Sequence, residues 1–487
     1  MPRPIVRCRP DPVMIAGFDR IRSELNIPTV FPDAVLQAAT DAVVAGPQIP
    51  PGAASTVIDA RDLPFIAIDP PGSTDLDQAF FARRHGDGYT VFYAIADVAS
   101  LVAPGSPVDL EARDRGLTLY SPDLRTSLHP ESINEDGGSL LEGQQRRALL
   151  WTIEVDGEGV LGDARLERAD VRTRHQLSYQ AAQAEMDIAG PDAALSLLRE
   201  IGELRQAQER HRGAVSLALP SQEVMYQADG SFAVLFDESL PIEGWNAQIS
   251  LLTGIAASRI MLDAGVGILR TLPEPDDRTL GQLRRTASAL GVEWPRQQSY
   301  ADRVRSLRPN TPETAAMLSQ AARGLRGAGY VAFTDHNPPS DPRHSAIAST
   351  YSHVTAPLRR LCDRFANEVV LAQCAGQAPP AWATEALGEL PSLMGSAKNR
   401  DRNLERAMVD FMEAIVLTPL IGETFAAVVT NVDNDRQQIR IQLRDPAVVV
   451  KINTSSAGGE PIELGSEITI RLVGTDPGER RVNFVVV

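Results

Sequence analysis

At 487 residues the chain is too long for one ordinary core, so two or three domains are expected. With 43% hydrophobic and 23% charged residues, no low-complexity tract and no apolar run near the roughly 20 residues of a membrane helix, it reads as a globular protein without a membrane span. A net charge of −16 excludes a surface that is basic all over, but a positive channel can coexist with an acidic exterior. Cys8, Cys362 and Cys374 form no disulfide framework, and Met1 to Cys8 carries charge without a following apolar segment, so a reducing cytoplasm is the expected location. Lysine occurs only at Lys398 and Lys451. Arginine offers bidentate phosphate contacts, although GC-rich codon usage accounts for this bias more simply.

In chain order, residues 1–50 read as a small helical module. Met14, Ile15, Phe18, Ile21 and Leu25 recur at helical spacing from Asp11 to Leu25, and Val35, Leu36 and Ala39 share a face between Pro32 and Val44. A helix-turn-helix and a plain helical hairpin both fit. The hairpin is favoured because no basic recognition face is evident. Residues 46–52 look like a linker. From Val57 to about Asp156 the pattern is β-rich, with strands expected at Phe65–Asp69, Tyr89–Ile95, Leu117–Tyr120 and Leu149–Val155. Helices are expected over Pro191–Gly213, Trp245–Ala264, Thr279–Gly291, Pro357–Ala375 and Thr384–Ile415. After Gly422, five short strands (Phe425–Asn431, Gln438–Leu443, Val448–Ile452, Glu467–Val473, Arg481–Val486) alternate with Asp-Asn, Asp-Pro, Ala-Gly-Gly and Asp-Pro-Gly turn signals. The expected fold class is therefore an α+β body, a mixed sheet with packed helices over residues 51–420. It is preceded by the module at 1–50 and followed at 421–487 by a five-stranded β-barrel of OB type.

Chemistry concentrates in Asp69-Pro70-Pro71-Gly72-Ser73-Thr74-Asp75-Leu76-Asp77-Gln78. Three carboxylates lie within nine residues, led in by apolar Phe65, Ile66 and Ile68. Carboxylates this close repel one another unless a cation sits between them, and a hard divalent ion held by oxygen ligands is the usual solution. An acidic surface loop explains the spacing equally well. A calcium loop fits less, because no Glu follows at EF-hand spacing.

The stretch Ala67 to Ala79 closely resembles the signature of the ribonuclease II family of exoribonucleases. The resemblance continues through Ile95-Ala96-Asp97-Val98-Ala99, Val102 to Ser106, Leu110 to Arg113, Tyr120-Ser121-Pro122-Asp123 and Ser139-Leu140. A second block, Tyr351-Ser352-His353-Val354-Thr355-Ala356-Pro357-Leu358-Arg359-Arg360, is similar to that family's Tyr-x-His-x-Thr-Ser-Pro-Ile-Arg-Arg motif. Together these blocks cover residues 55 to about 375, and the terminal barrel falls where the family carries one.

The resemblance implies a hydrolase that removes 5′-mononucleotides from the 3′ end of RNA, with Mg2+ as cofactor and Mn2+ as a substitute. It assigns Asp69, Asp75 and Asp77 to a metal site, with Gln78 beside them. Three carboxylates plus the phosphate would balance most of two magnesium ions. Asp77 is the carboxylate whose loss should do most damage. Arg359, with Arg360 beside it, approaches the scissile phosphate. If Pro357 opens a helix, that helix's N-terminus would also favour an anion. The alternative for Arg359 is a salt bridge to Asp363. Tyr120 falls where the family holds the terminal nucleotides, and Tyr179 could act alike or be a core residue. Tyr351, His353 and Thr355 are assigned to RNA binding through the second motif. As metal ligands, His129 and His353 lack a partner at suitable spacing, and a zinc site at His336 and His344 is not favoured.

This chain departs from the family at three points. Gln78 stands where relatives usually carry a fourth aspartate, so weaker binding of one metal is expected rather than an inactive enzyme. Ala247-Gln248-Ile249-Ser250 replaces a Glu-Glu-rich helix start. Helical residues stand where many relatives carry cold-shock domains, which leads to an expected tolerance of structured RNA as well as single-stranded 3′ ends. No second subunit and no membrane are expected as partners. A catalytically weak RNA-binding protein of the same fold is the alternative reading.

Overall fold

The strand at Phe65–Asp69 forms with the expected bounds, and its alternation buries both faces. Phe65 and Ala67 pack with Leu76, Phe92, Ala94, Leu150 and Val171, while Ile66 and Ile68 pack with Phe80, Tyr93, Leu149 and Trp151. The computed structural model describes residues 12–186, 188, 190, 193–215, 221–226, 232–237, 240–308, 311–433, 437–443, 448–453 and 462–487. The expected helix starts at Asp11 and Pro191, Cys8, and the turn signals at 434, 445–446 and 457–459 lie outside them.

Phe65–Asp69 belongs to a six-stranded mixed sheet. Its order is Val57–Asp59, Leu161–Ser178, Phe65–Asp69, Gln78–His85, Gly88–Ala96, Gln145–Val155. Phe65–Asp69 runs parallel to Leu161–Ser178, which places Asp69 opposite Ser178. Leu161–Ser178 also pairs antiparallel with Gln145–Val155, so the sheet closes on itself. The sequence reading lacks this long strand. Its run of charges (Asp163, Arg165, Glu167, Arg168, Asp170, Arg172, Arg174) hides the period-two signal.

Helices cover the outer face. Pro241–Ala264 packs against Ala194–His211 and Leu361–Cys374. The last of these is buried from Leu361 to Ala372, charged residues included, because each has an internal partner. Arg364 pairs with Asp109 at 2.5 Å, Asn367 donates to Val354 O at 2.8 Å, and Glu368 pairs with Arg168. Arg168, itself fully buried, also donates to Asp97 at 2.9 Å and to Ala54 O at 2.8 Å. One guanidinium thus joins the sheet to the helix that follows the second motif.

Two helix expectations need correction. The helix expected from Pro357 begins at Leu361, with extended Arg360 as its N-cap. Thr118 N–H donates to Arg359 O and Leu361 N–H to Gly116 O, and these backbone pairs hold residues 357–360 in a turn. Arg359 therefore projects from a turn, and no helix N-terminus sits at Thr355 or Ala356. The helix expected over Thr384–Ile415 is divided into Ala381–Ala386 and Leu390–Leu417, with Gly388 between them.

The N-terminal helices Pro12–Glu24 and Asp33–Ala45 pack onto this body. Phe18 meets Phe411 of Leu390–Leu417 edge-on at 5.5 Å. Val35 and Ala39 pack with Leu101, Ile133 and Leu358. The C-terminal strands form an antiparallel sheet in the order Val449–Asn453, Gln438–Leu443, Thr424–Asp433, Glu467–Asp476, Arg481–Val486. Among the described residues no helix is long and apolar enough to cross a membrane.

Removing one partner of a buried ion cluster leaves the others uncompensated. Arg168→Met should lose about 3–5 kcal/mol in urea unfolding, and Arg168→Met/Glu368→Met should lose less. Equal losses would show that the cluster is not electrostatically coupled. His129, buried with Nδ1 3.3 Å from Leu358 O, is pushed down to about 4 by burial and by Arg364. The unfolded chain therefore takes up this proton first as pH falls. Stability should be full above pH 6.5 and decline towards pH 4, by roughly 3 kcal/mol in total. His129→Gln should flatten that limb of the pH–stability curve, and an unchanged limb would assign it to other groups.

Candidate active site

The acidic loop is held from behind. Gly72 sits at φ +80°, where a side chain would strain the backbone, and it turns the chain after Pro70-Pro71. Ser73 Oγ donates to Pro70 O at 2.9 Å and to Asp69 Oδ1 at 3.3 Å. Ser139 Oγ accepts from Leu76 N–H at 2.8 Å and donates to Thr74 O at 2.7 Å, while buried Leu76 anchors the middle of the loop. Asp75 and Asp77 therefore flank a fixed residue.

Asp77 is 2% exposed. Its Oδ1 accepts from Leu358 N–H at 2.8 Å, across 281 residues of sequence, and its Oδ2 lies 3.2 Å from Arg359 Nε. The two motifs meet at this carboxyl. Burial pushes Asp77 up to about 8, assisted by Asp363 and Asp75 and opposed by Arg359 and the Leu358 N–H. Asp69 is pushed up to about 6 by burial and by Asp75, with Arg359 and Ser73 opposing. Burial also raises Asp75, against the nearby Arg125 and Arg359. The Arg359 guanidinium acts on all three, and Asp77 holds it protonated well above its ordinary range.

Arg125 is a member of the site that the sequence reading missed. Its Nη1 lies 2.5 Å from Asp75 Oδ1, and its Nη2 pairs with Glu135 on the π-helical turn Ser132–Gly137. Arg125 stands opposite Tyr120 in the short pairing of Leu119–Tyr120 with Arg125–Thr126, so both side chains leave the same face. Tyr120 lies close enough to Arg359 to favour its charge. Buried Arg22 of the first helix braces the connection between these strands through Asp123, at 2.7 and 2.8 Å.

Gln78 is engaged at both ends. Tyr93 Oη donates to its Oε1 at 2.7 Å, and its Nε2 donates to Thr355 O at 2.6 Å. Tyr93 Oη also meets Ser250 Oγ at 2.9 Å. Tyr179 follows directly on the strand residue paired with Asp69; burial and Asp69 raise its hydroxyl, which accepts from Asn246 at 3.4 Å. Tyr93 and Asn246 were not singled out from sequence, and Ser250 only as part of the segment Ala247–Ser250 that departs from the family, since the fold alone brings them to the acidic loop.

The remaining predicted residues lie in the surrounding wall. Arg360, not Arg359, pairs with Asp363, its Nε and Nη2 lying at 2.5 and 2.6 Å. Tyr351 is buried against Gly254, where an added Cβ would fall 2.1 Å from the ring, and it meets His353 edge-on at 5.4 Å. His353 Nδ1 lies 2.7 Å from Tyr330 Oη. Thr355 is buried, and its carbonyl holds Gln78.

Among the described residues no three His, Cys, Asp or Glu side chains converge as a ready cation cage. Asp75 is instead held by Arg125. The donor chemistry nevertheless suits a hard divalent ion: Asp75 acts electrostatically on both Asp69 and Asp77, and buried Asp77 Oδ2, ion-paired with Arg359, accepts no hydrogen bond.

The chain is similar to known proteins in both its central and its C-terminal parts. The RNB domain matches residues 57–374, and the RNase II-type exonuclease C-terminal S1 domain matches residues 423–487. The chain is 28% identical to exosome complex exonuclease RRP44 homolog A of Arabidopsis thaliana over 74% of its own length and 40% of that protein. It is 23% identical to ribonuclease R of Escherichia coli (strain K12) over 95% of its length and 61% of that protein. The chain thus spans between two fifths and about three fifths of these curated relatives. The structure of Mycoplasma genitalium RNase R in complex with ribose methylated single-stranded RNA superposes with a TM-score of 0.84 at 18% identity, covering 97% of this chain and 78% of that one. The same protein has also been solved with double-stranded RNA. The fold and the matched domains together place the chain in the RNB-domain family, with an RNase II-type C-terminal S1 domain.

Proposed function

We propose that this chain is a metal-dependent 3′-to-5′ exoribonuclease that hydrolyses RNA and releases 5′-mononucleotides, with Mg2+ as its cation and Mn2+ as a substitute. The observation that carries this reading is the meeting of buried Asp77 with Arg359 at 3.2 Å, beside Asp69 and Asp75. Family membership supports it, since nucleases of this family are in general metal-dependent. In this reading residues 51–420 form the catalytic body, 421–487 bind RNA, and 1–50 are the helical module.

Asp69 and Asp77 would hold the cation, which when bound supplies Lewis acidity and a more acidic water. Arg359, permanently charged, stabilises the charge that develops on the phosphate oxygens. Tyr120, near Arg359, offers a stacking face that tolerates any terminal base. Tyr179, next to Asp69, presents a hydroxyl to the same cleft. M. genitalium RNase R has been solved in complex with single-stranded and with double-stranded RNA, which supports single-stranded RNA as substrate here and a tolerance of structured RNA. The proposed setting is a monomer in the cytoplasm. Gln78, a neutral residue among the carboxylates, is what favours the second reading, an RNA-binding protein with weak catalysis.

Labelled single-stranded RNA separates the two. Mononucleotides should appear from the 3′ end only with magnesium, and Asp77→Asn should slow release at least about a hundredfold. Binding without cleavage would support the second reading. On a duplex with a short 3′ overhang the enzyme should continue into the paired region; arrest several nucleotides before it would remove the tolerance of structure.

A further inference from the structure

One peptide unit at the entrance to the Arg359 turn is held at both of its polar ends. The carbonyl of Thr355 accepts from Gln78 Nε2 at 2.6 Å, and the N–H of Ala356, across the same planar bond, donates to Asp363 Oδ2 at 2.8 Å. Thr355 and Ala356 are buried, so these side chains take the place of water as partners. Both holders are themselves fixed. Thr355 O can only accept, so the Gln78 amide nitrogen faces it, and the carboxamide oxygen behind takes Tyr93 Oη at 2.7 Å. Buried Tyr93 in turn meets Ser250 Oγ at 2.9 Å. Asp363 is fully buried in the first turn of Leu361–Cys374, and Arg360 grips both of its oxygens, Nε at 2.5 Å and Nη2 at 2.6 Å. One holder thus belongs to the sheet and the other to the helix.

A tight turn follows the clamped peptide. Arg359 N–H donates to Ala356 O at 3.2 Å, with Pro357 at the second position, where its ring presets φ. Such a turn is stiff within itself, but its direction is set by the peptide that enters it. The Arg359 side chain is nearly half exposed, with Nε 3.2 Å from Asp77 Oδ2. A long, exposed side chain keeps much of its rotamer freedom, so the backbone beneath it decides where its charge sits.

We propose that Gln78 and Asp363 are positioning residues: they clamp the Thr355–Ala356 peptide between sheet and helix and thereby aim Arg359 at the scissile phosphate. The aspartate expected at position 78 from the family resemblance is one methylene shorter and, when ionised, has no hydrogen to donate. The amide of this chain therefore makes a contact that an aspartate cannot. Arg360 serves the clamp by neutralising buried Asp363, not by touching RNA. The inference rests on the nuclease reading given above.

The test combines steady-state mononucleotide release at saturating magnesium with amide hydrogen exchange over residues 354–360 in the full-length, RNA-free protein. Gln78→Met removes the donor at similar side-chain length. It should lower kcat by roughly a hundredfold with KM nearly unchanged, because Arg359 acts on charge that develops in the transition state. In an Arg359→Met background the same change should cost nothing further. At the other end, Asp363→Leu/Arg360→Met removes the acceptor without leaving a buried charge, and Asp363→Asn/Arg360→Met keeps an acceptor for the Ala356 N–H. The second of these should retain roughly tenfold more kcat than the first, about the worth of one hydrogen bond. Exchange over 354–360 should be faster in Gln78→Met and in Asp363→Leu/Arg360→Met than in the wild type. Equal costs of Gln78→Met with and without Arg359 would overturn the proposal, since a loss through stability or through the metal site persists when Arg359 is gone. Exchange in both variants as slow as in the wild type would overturn it too. Absence of release by the wild type sinks the nuclease reading alone, and the exchange measurement still decides the clamp.

Discussion

Everything in the candidate site depends on one buried carboxyl, Asp77, accepting the Leu358 N–H. A carboxylate removed from water needs such donors, and it finds them only where the second motif crosses the start of the Gln78–His85 strand. That contact fixes the height of the Leu358–Arg359 turn, which is itself held in place by backbone pairing with Gly116–Thr118. Packing supports it from below, since Leu358 belongs to the small core shared with Val35 and Ala39 of the second helix. Arg359 therefore emerges from a turn fixed on three sides, which is the condition for a guanidinium to act without first being ordered.

Much of this was legible in the sequence because the signals were local. A short apolar run gave Phe65–Asp69 to the residue, and the five C-terminal strands emerged from alternating or apolar runs and turn residues. Asp69, Asp75, Asp77 and Arg359 were reached through motifs whose spacing is itself local. The closing strand Leu161–Ser178 was not legible: its Arg168 is buried yet neutralised by Asp97 and Glu368, partners 71 and 200 residues away. The helix Leu361–Cys374 was expected, apart from its start, but the burial of its Asp363, Arg364 and Glu368 was not, because they look solvent-facing until their partners are known. Arg125, Tyr93 and Asn246 carry no motif, and they matter only because folding brings them to the loop.

The N-terminal helices are more than an appendage to this scheme. Arg22 reaches Asp123 and so steadies the two short strands that carry Tyr120 and Arg125, which have only two residues each to pair. From the same helix Glu24 pairs with Arg480, and Arg20 donates to Gly478 O at 3.0 Å, both at the tip of the C-terminal sheet. One helix thereby contacts both the aromatic wall of the cleft and the domain matched to an RNA-binding fold.

The closed sheet has a consequence for behaviour in a crowded solution. A strand with an unpaired edge is a template on which a foreign strand can add, and long exposed edges invite aggregation. By pairing on both sides, Leu161–Ser178 removes the two edges that a five-stranded open sheet would have carried. What stands outside the ring is Val57–Asp59, three residues long and ending in a charge, too short to hold an intruder in register.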